Sequence, residues 1–131
     1  MNADNDLTRP PLAEDQVGLV VEVFRMLADS TRVQVLWALV DRELSVNDLA
    51  GLIGKPSPSV SQHLSKLRMA RLVRTRRAGT TIFYSLENEH VRQLVVDAVY
   101  NAEHAGPGVP AHHRGDGVVR ELPSRDQAVS K

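Results

Sequence analysis

The chain contains no cysteine. That excludes disulfides, thiolate nucleophiles, iron–sulfur clusters and thiolate zinc sites, so any metal must be held by nitrogen and oxygen donors. It also lacks an excess of charge of either sign. Lys+Arg and Asp+Glu both number 16, so net charge nominates neither a nucleic acid nor a membrane as partner. No apolar run approaches the roughly 20 residues a membrane span needs, and no signal-peptide core opens the chain. The expected compartment is the cytoplasm, with no membrane partner. What is present is ordinary globular composition, and 131 residues suit one domain with a tail.

Three segments are expected. Residues 1–13 are polar, carry Pro10-Pro11 and read as a flexible arm. Residues 14–104 alternate helical and strand patterns and read as the folded domain. Residues 105–131 follow a helix end broken by Gly106-Pro107-Gly108 and turn polar, with disorder expected past about Asp116.

Within the domain, Glu14 to Ala28 is apolar on more than one face, with Val17, Leu19, Val20, Val21, Val23, Phe24, Met26 and Leu27. Such a helix should be buried, with a second subunit as one candidate cover. Asp29-Ser30 is a capping signal for a helix with the stripe Val33, Leu36, Trp37, Leu39 and Val40. Ser45 followed by Asp48 caps a short helix ended by Gly54. Lys55-Pro56-Ser57-Pro58 is a turn, and a helix with Val60, Leu64 and Leu67 inward runs on to about Ala70. Two short helices joined this way predict a helix-turn-helix. Strand-forming flanks around Arg77-Ala78-Gly79-Thr80 predict a β-hairpin, and a last helix spans about 88–104. The expected fold is mainly α with a small β-hairpin.

Charge distribution is more informative than net charge. Residues 55–80 hold Lys55, Lys66, Arg68, Arg71, Arg74, Arg76 and Arg77 and no Asp or Glu, so this block is +7 and the rest of the chain −7. The block coincides with the second helix of the helix-turn-helix and with the hairpin. A helix that reads the major groove needs small polar and hydrogen-bonding side chains on its outer face. Ser57, Ser59, Ser61, Gln62, His63 and Ser65 have that character. Lys66, Arg68 and the hairpin arginines would neutralise phosphates, with Arg76, Arg77 and Thr80 near the minor groove or backbone. His63 reads equally as a DNA contact or as a hydrogen-bonded surface histidine. The bland alternative for the whole block is a solvated basic face.

Met26-Leu27-Ala28-Asp29-Ser30-Thr31-Arg32-Val33 resembles the helix junction of ArsR/SmtB-type repressors. Ser45 to Ala50 and Pro58 to Leu67 resemble that family's helix-turn-helix, and Gly79 to Leu86 its wing. The resemblance covers about residues 14–104. It implies a homodimeric winged helix-turn-helix that binds an inverted-repeat operator in duplex DNA and is released by an inducer.

The five histidines are His63, His90, His104, His112 and His113. His90 and His104 lie roughly 21 Å apart along one helix at 1.5 Å per residue, so they cannot share an ion within one chain. Their spacing is near four turns, so both project from nearly one face. Two such helices packed antiparallel would bring His90 of one chain beside Glu103 and His104 of the other. Metal-sensing members of the ArsR/SmtB family build a last-helix site in this region. Relative to their pattern, Asn88 replaces an Asp and Asn101 a His, which argues against the usual tetrahedral zinc site. The remaining set resembles that of nickel- and cobalt-sensing members, and by that resemblance the ligands are His90, Glu103, His104, His112 and His113. Five nitrogen and oxygen donors suit five- or six-coordinate Ni(II) or Co(II) better than Zn(II), which is less favoured.

The expectation is therefore a repressor that binds DNA without metal and is released by Ni(II) or Co(II), freeing a metal-efflux gene. The alternative is a repressor of the same kind that answers to zinc or to a non-metal signal. A passive nickel-binding protein would bind metal without specific DNA affinity. A metalloenzyme is disfavoured, since no H-E-x-x-H helix or suitably placed carboxylate base is present.

Overall fold

The computed structural model describes residues 7–105. These fall into two units, one ending at Asn88 and one beginning at Glu89.

The first unit opens with α1 (Glu14–Leu27), whose first turn carries Glu14 and Asp15 against the positive helix end. No residue of α1 is buried. Leu19 is 71% and Phe24 58% exposed. The burial expected of an all-round apolar helix is thus not supplied by the described residues.

Helix α2 (Ser30–Ala38) starts at Asp29, whose carboxylate accepts from the backbone N–H of Arg32 at 3.0 Å. Its core side is Thr31, Val35 and Leu36, continued by Leu39 just past the helix. Val33 and Trp37, expected inside, are exposed. The reason is the helical period: it carries the core face from Thr31 through Val35 to Leu39 and leaves Val33 and Trp37 to the side.

Strand β1 (Leu44–Ser45) leads directly into α3 (Val46–Ile53). Ser45 closes the strand and caps the helix, its Oγ accepting from the Asp48 N–H at 3.2 Å. Gly54 ends α3 at φ +77°, a left-handed conformation that suits glycine. Leu49 and Ala50 are buried, whereas Leu52 is exposed. Helix α4 (Ser57–Met69) begins with Pro58 in its first turn, where proline's missing N–H is harmless. Val60, Leu64 and Leu67 are fully buried, as their spacing predicts, and α4 packs on α2 and α3.

Strands β2 (Val73–Ala78) and β3 (Thr81–Leu86) form the expected hairpin, with Val73 opposite Leu86 and Ala78 opposite Thr81. Gly79 takes φ +63° in the two-residue turn. The sheet has a third strand that the sequence did not announce, because two residues carry no periodicity. β1 pairs antiparallel with β3, giving the order β1-β3-β2. The observed fold is mainly helical with this small antiparallel sheet.

The second unit is α5 (Glu89–Ala105), in which Val91 and Val95 are buried. Leu94, Val96 and Val99 are half-buried, and Ala98, Tyr100 and Ala102 exposed.

Candidate nucleic-acid interface and metal ligands

Burying Val60, Leu64 and Leu67 fixes which side of α4 faces outward. Ser61, Gln62, Ser65, Lys66 and Arg68 are all exposed. They form a continuous polar and basic face on the helix that follows the tight turn. Met69, 86% exposed, extends that face by two turns beyond Gln62. Met69 was not singled out from sequence, where a methionine near a helix end reads as core. Its seven-residue spacing from Gln62 is the signal that places it outside.

Three of the sequence candidates are engaged within the protein. The Ser57 hydroxyl donates to Asn47 Oδ1 at 3.0 Å, joining the start of α4 to α3. Ser59 is half-buried. His63 turns toward α2, and its side chain is only 22% exposed. Its Nδ1 lies 3.3 Å from Arg32 Nη1 and 3.8 Å from Asp29 Oδ2. Arg32 also donates from Nε to the Met26 carbonyl at 2.8 Å. One guanidinium thus spans the end of α1, the start of α2 and the middle of α4. Burial raises the Asp29 carboxyl, but the Arg32 N–H, the Arg32 charge and His63 outweigh it. The net position is below the usual carboxylate value.

Arg76 is the third. Its Nε donates to Glu43 Oε1 and Oε2 at 3.1 and 3.2 Å, and its Nη2 to Oε1 at 2.8 Å. Its guanidinium also sits 5.1 Å from the centre of the Phe83 ring. Hydrogen bonding by Arg76 is the main cause that holds the Glu43 carboxyl below its ordinary value and raises Arg76. Arg77 and Thr80, by contrast, are exposed near the hairpin tip.

Of the five metal-ligand candidates, three lie in α5. His90 and His104 are exposed and Glu103 is half-buried. They occupy opposite ends of one 17-residue helix. Among the described residues, no three His, Asp or Glu side chains come together as a metal site. The two ends of α5 fit one ion only if two protomers contribute. The donors are imidazole and carboxylate, which suit a divalent transition metal. His112 and His113, like the glycine break and the tail end, lie outside the described residues.

No helix among the described residues is long and apolar enough to cross a membrane.

Comparison with known proteins agrees with this fold. The model of the bacterial regulatory protein arsR family matches residues 29–75, from the cap of α2 into β2. The transcriptional regulator KmtR of Mycobacterium tuberculosis is 80% identical over 112 residues, covering 86% of each chain. The regulator NmtR of the same organism is 37% identical over 107 residues, covering 82% of this chain and 89% of its own. Among solved structures, a homodimeric winged helix-turn-helix DNA-binding domain from Mycobacterium bovis superposes with a TM-score of 0.64 at 29% identity. It covers 71% of this chain and 90% of that one.

Proposed function

This chain belongs to the arsR family of bacterial regulatory proteins and is a transcriptional regulator rather than an enzyme; from that premise we propose that it is a homodimeric, cytoplasmic repressor whose operator complex is broken by Ni(II) or Co(II).

The observation that carries the reading is the outer face of α4. Ser61, Gln62 and Ser65 have the hydrogen-bonding groups that read base edges, and Lys66 and Arg68 beside them suit phosphates. Arg77 and Thr80 at the hairpin tip would touch the flanking groove or backbone. Ser57, Ser59 and His63 are held by internal contacts or partly covered, so their part is chiefly to place the others, and Arg76 is engaged by Glu43. A second copy supplies the cover that α1 lacks, and two recognition helices related by a dyad suit half-sites one helical turn apart.

The inducer site is proposed for paired α5 helices, with His90 from one protomer and Glu103 and His104 from the other. His112 and His113 from the tail complete the donor set, which makes residues 105–131 a metal-binding extension of the domain that follows the arm of residues 1–13. Metal would supply a bridge between protomers. It acts as an inducer only if it binds the free dimer more tightly than the DNA-bound one, and that coupling is reciprocal. A metal-efflux gene is the fitting target.

A reporter placed behind the DNA upstream of the protein's own gene tests this in cells. Deleting the regulator should raise expression constitutively, and nickel or cobalt should raise it only when the regulator is present. Unchanged expression on deletion would contradict repression. Expression that deletion raises but no metal affects would leave a repressor of another signal.

A further inference from the structure

Glu43 and Arg76 are 33 residues apart in sequence and meet through the sheet. β1 places Ser45 opposite Phe83, and β2 places Arg76 opposite the same Phe83. That shared row brings the residue just before β1 within reach of the β2 guanidinium. The result is a three-contact pair stacked on an aromatic ring, with Arg76 aligned by both neighbours.

Arg76 is exceptional within the basic block. The side chains of Lys55, Lys66, Arg68, Arg71 and Arg77 make no hydrogen bond or ion pair among the described residues. Arg74 meets the Ser85 hydroxyl at 3.5 Å and its charge also reaches Glu43, without a hydrogen bond to it. Within the block, Arg76 alone is hydrogen-bonded to a carboxylate. A carboxylate and a phosphate engage guanidinium in the same two-pronged way. Glu43 therefore occupies the seat that a backbone phosphate would take. Both side chains remain substantially exposed, Arg76 at 56% and Glu43 at 38%, so the seat lies at the surface where DNA could reach it.

We propose that Glu43 masks Arg76 from DNA and so sets the strength and salt dependence of DNA binding, by withholding one cation from the sequence-independent grip on the phosphate backbone. The inference rests on the DNA-binding reading above and adds a residue that no contact with DNA would identify. Binding to non-operator DNA is almost wholly electrostatic, and each phosphate neutralised adds about 0.9 to the slope of log affinity against log salt. A masked arginine lowers that affinity on every sequence, whereas base reading by α4 is untouched. Operator and random-sequence binding therefore weaken together, and both become less salt-sensitive.

The test measures fluorescence anisotropy of the full chain on a random-sequence duplex and on DNA from upstream of its own gene, at 50 to 200 mM salt. Glu43→Gln should bind the random duplex more tightly than wild type, with a slope steeper by about 0.9. Its advantage should then shrink about threefold across that salt range. The gain must vanish in Glu43→Gln/Arg76→Gln compared with Arg76→Gln alone. Glu43→Ala, which also frees the guanidinium, should reproduce the gain and guards against a fault peculiar to glutamine. An unchanged slope in both Glu43 variants, or a gain that survives without Arg76, overturns the proposal while leaving DNA binding intact. Wild type that binds neither duplex at 50 mM salt overturns the DNA-binding reading and this inference with it.

Discussion

The imidazole Nδ1 of His63 lies 3.3 Å from Nη1 of Arg32, and this contact ties the middle of α4 to the start of α2. Guanidinium can only donate, so Nδ1 accepts when the ring is neutral and its proton is on Nε2. Asp29 Oδ2 lies 3.8 Å from the same nitrogen. The recognition helix is thus positioned by a residue that points into the protein. His63→Ala should lower unfolding stability by about 1 kcal/mol, the usual magnitude for one hydrogen bond. Operator affinity should fall with it. Urea denaturation beside DNA titration checks this. A drop in affinity with unchanged stability would mean that His63 acts on the DNA directly.

Asp29 caps α2 and bears the charge that faces Arg32 and His63. Asp29→Ala should cost about 1 kcal/mol, as N-cap removals do. Asp29→Asn retains an acceptor for the cap and removes only the charge. The folded carboxyl titrates below its unfolded value of 3.8. The charge therefore stabilises fully above about pH 4 and loses its contribution as pH falls through the lower folded value. Wild type should exceed Asp29→Asn in stability at pH 7, and the gap should close toward pH 2. A gap that widens on acidification would reverse the sign of this argument.

Leu19 and Phe24 leave large apolar surfaces on α1 uncovered. A charge there should break a dimer without unfolding the chain, since no α1 residue contributes to the buried core. Leu19→Glu or Phe24→Glu should halve the mass seen by sedimentation equilibrium while helical circular dichroism is kept. A mass unchanged in both variants would move the interface elsewhere.

Leu64 is fully buried beneath the outward face of α4. Leu64→Ala should destabilise by about 2–5 kcal/mol through lost burial and the cavity left behind. In a small domain that is enough to unfold a large part of the population. Thermal melting reads it directly, and a loss below about 1 kcal/mol would mean that the site collapses around the smaller side chain.

His104→Ala should leave metal-free operator binding unchanged and remove the response to Ni(II). His63, on α4, is the control histidine whose loss weakens DNA binding at every metal concentration. An undiminished nickel response in His104→Ala would exclude His104 from the inducer site.

The helices and their caps were legible because they are local. Asp29 and Ser45 accept the N–H groups their capping positions require, and Val60, Leu64 and Leu67 are buried at the spacing expected of them. The +7 block was legible as composition. What was not legible depends on distant pairings. β1 is two residues long and exists only because β3 is beside it. The engagement of Arg76 by Glu43 requires the sheet register, and that of His63 by Arg32 requires the packing of α4 on α2. Of the eleven polar α4 and hairpin candidates, sequence left only His63 open between a DNA contact and an internal partner, whereas the fold separates exposed ones such as Gln62 and Arg68 from Ser57, His63 and Arg76, which are already engaged. In the α2 stripe Leu36 and Leu39 are buried as expected, but Val33 and Trp37 are not, for a related reason. Val33 and Trp37 are as apolar as their neighbours, and only packing decides which side turns inward.

The most direct test is fluorescence anisotropy of the wild-type chain on duplex DNA from upstream of its own gene, titrated in turn with Ni(II), Co(II) and Zn(II). The account predicts tight binding without metal, release by Ni(II) or Co(II), and little effect of Zn(II). Tight binding indifferent to Ni(II) and Co(II) would contradict it.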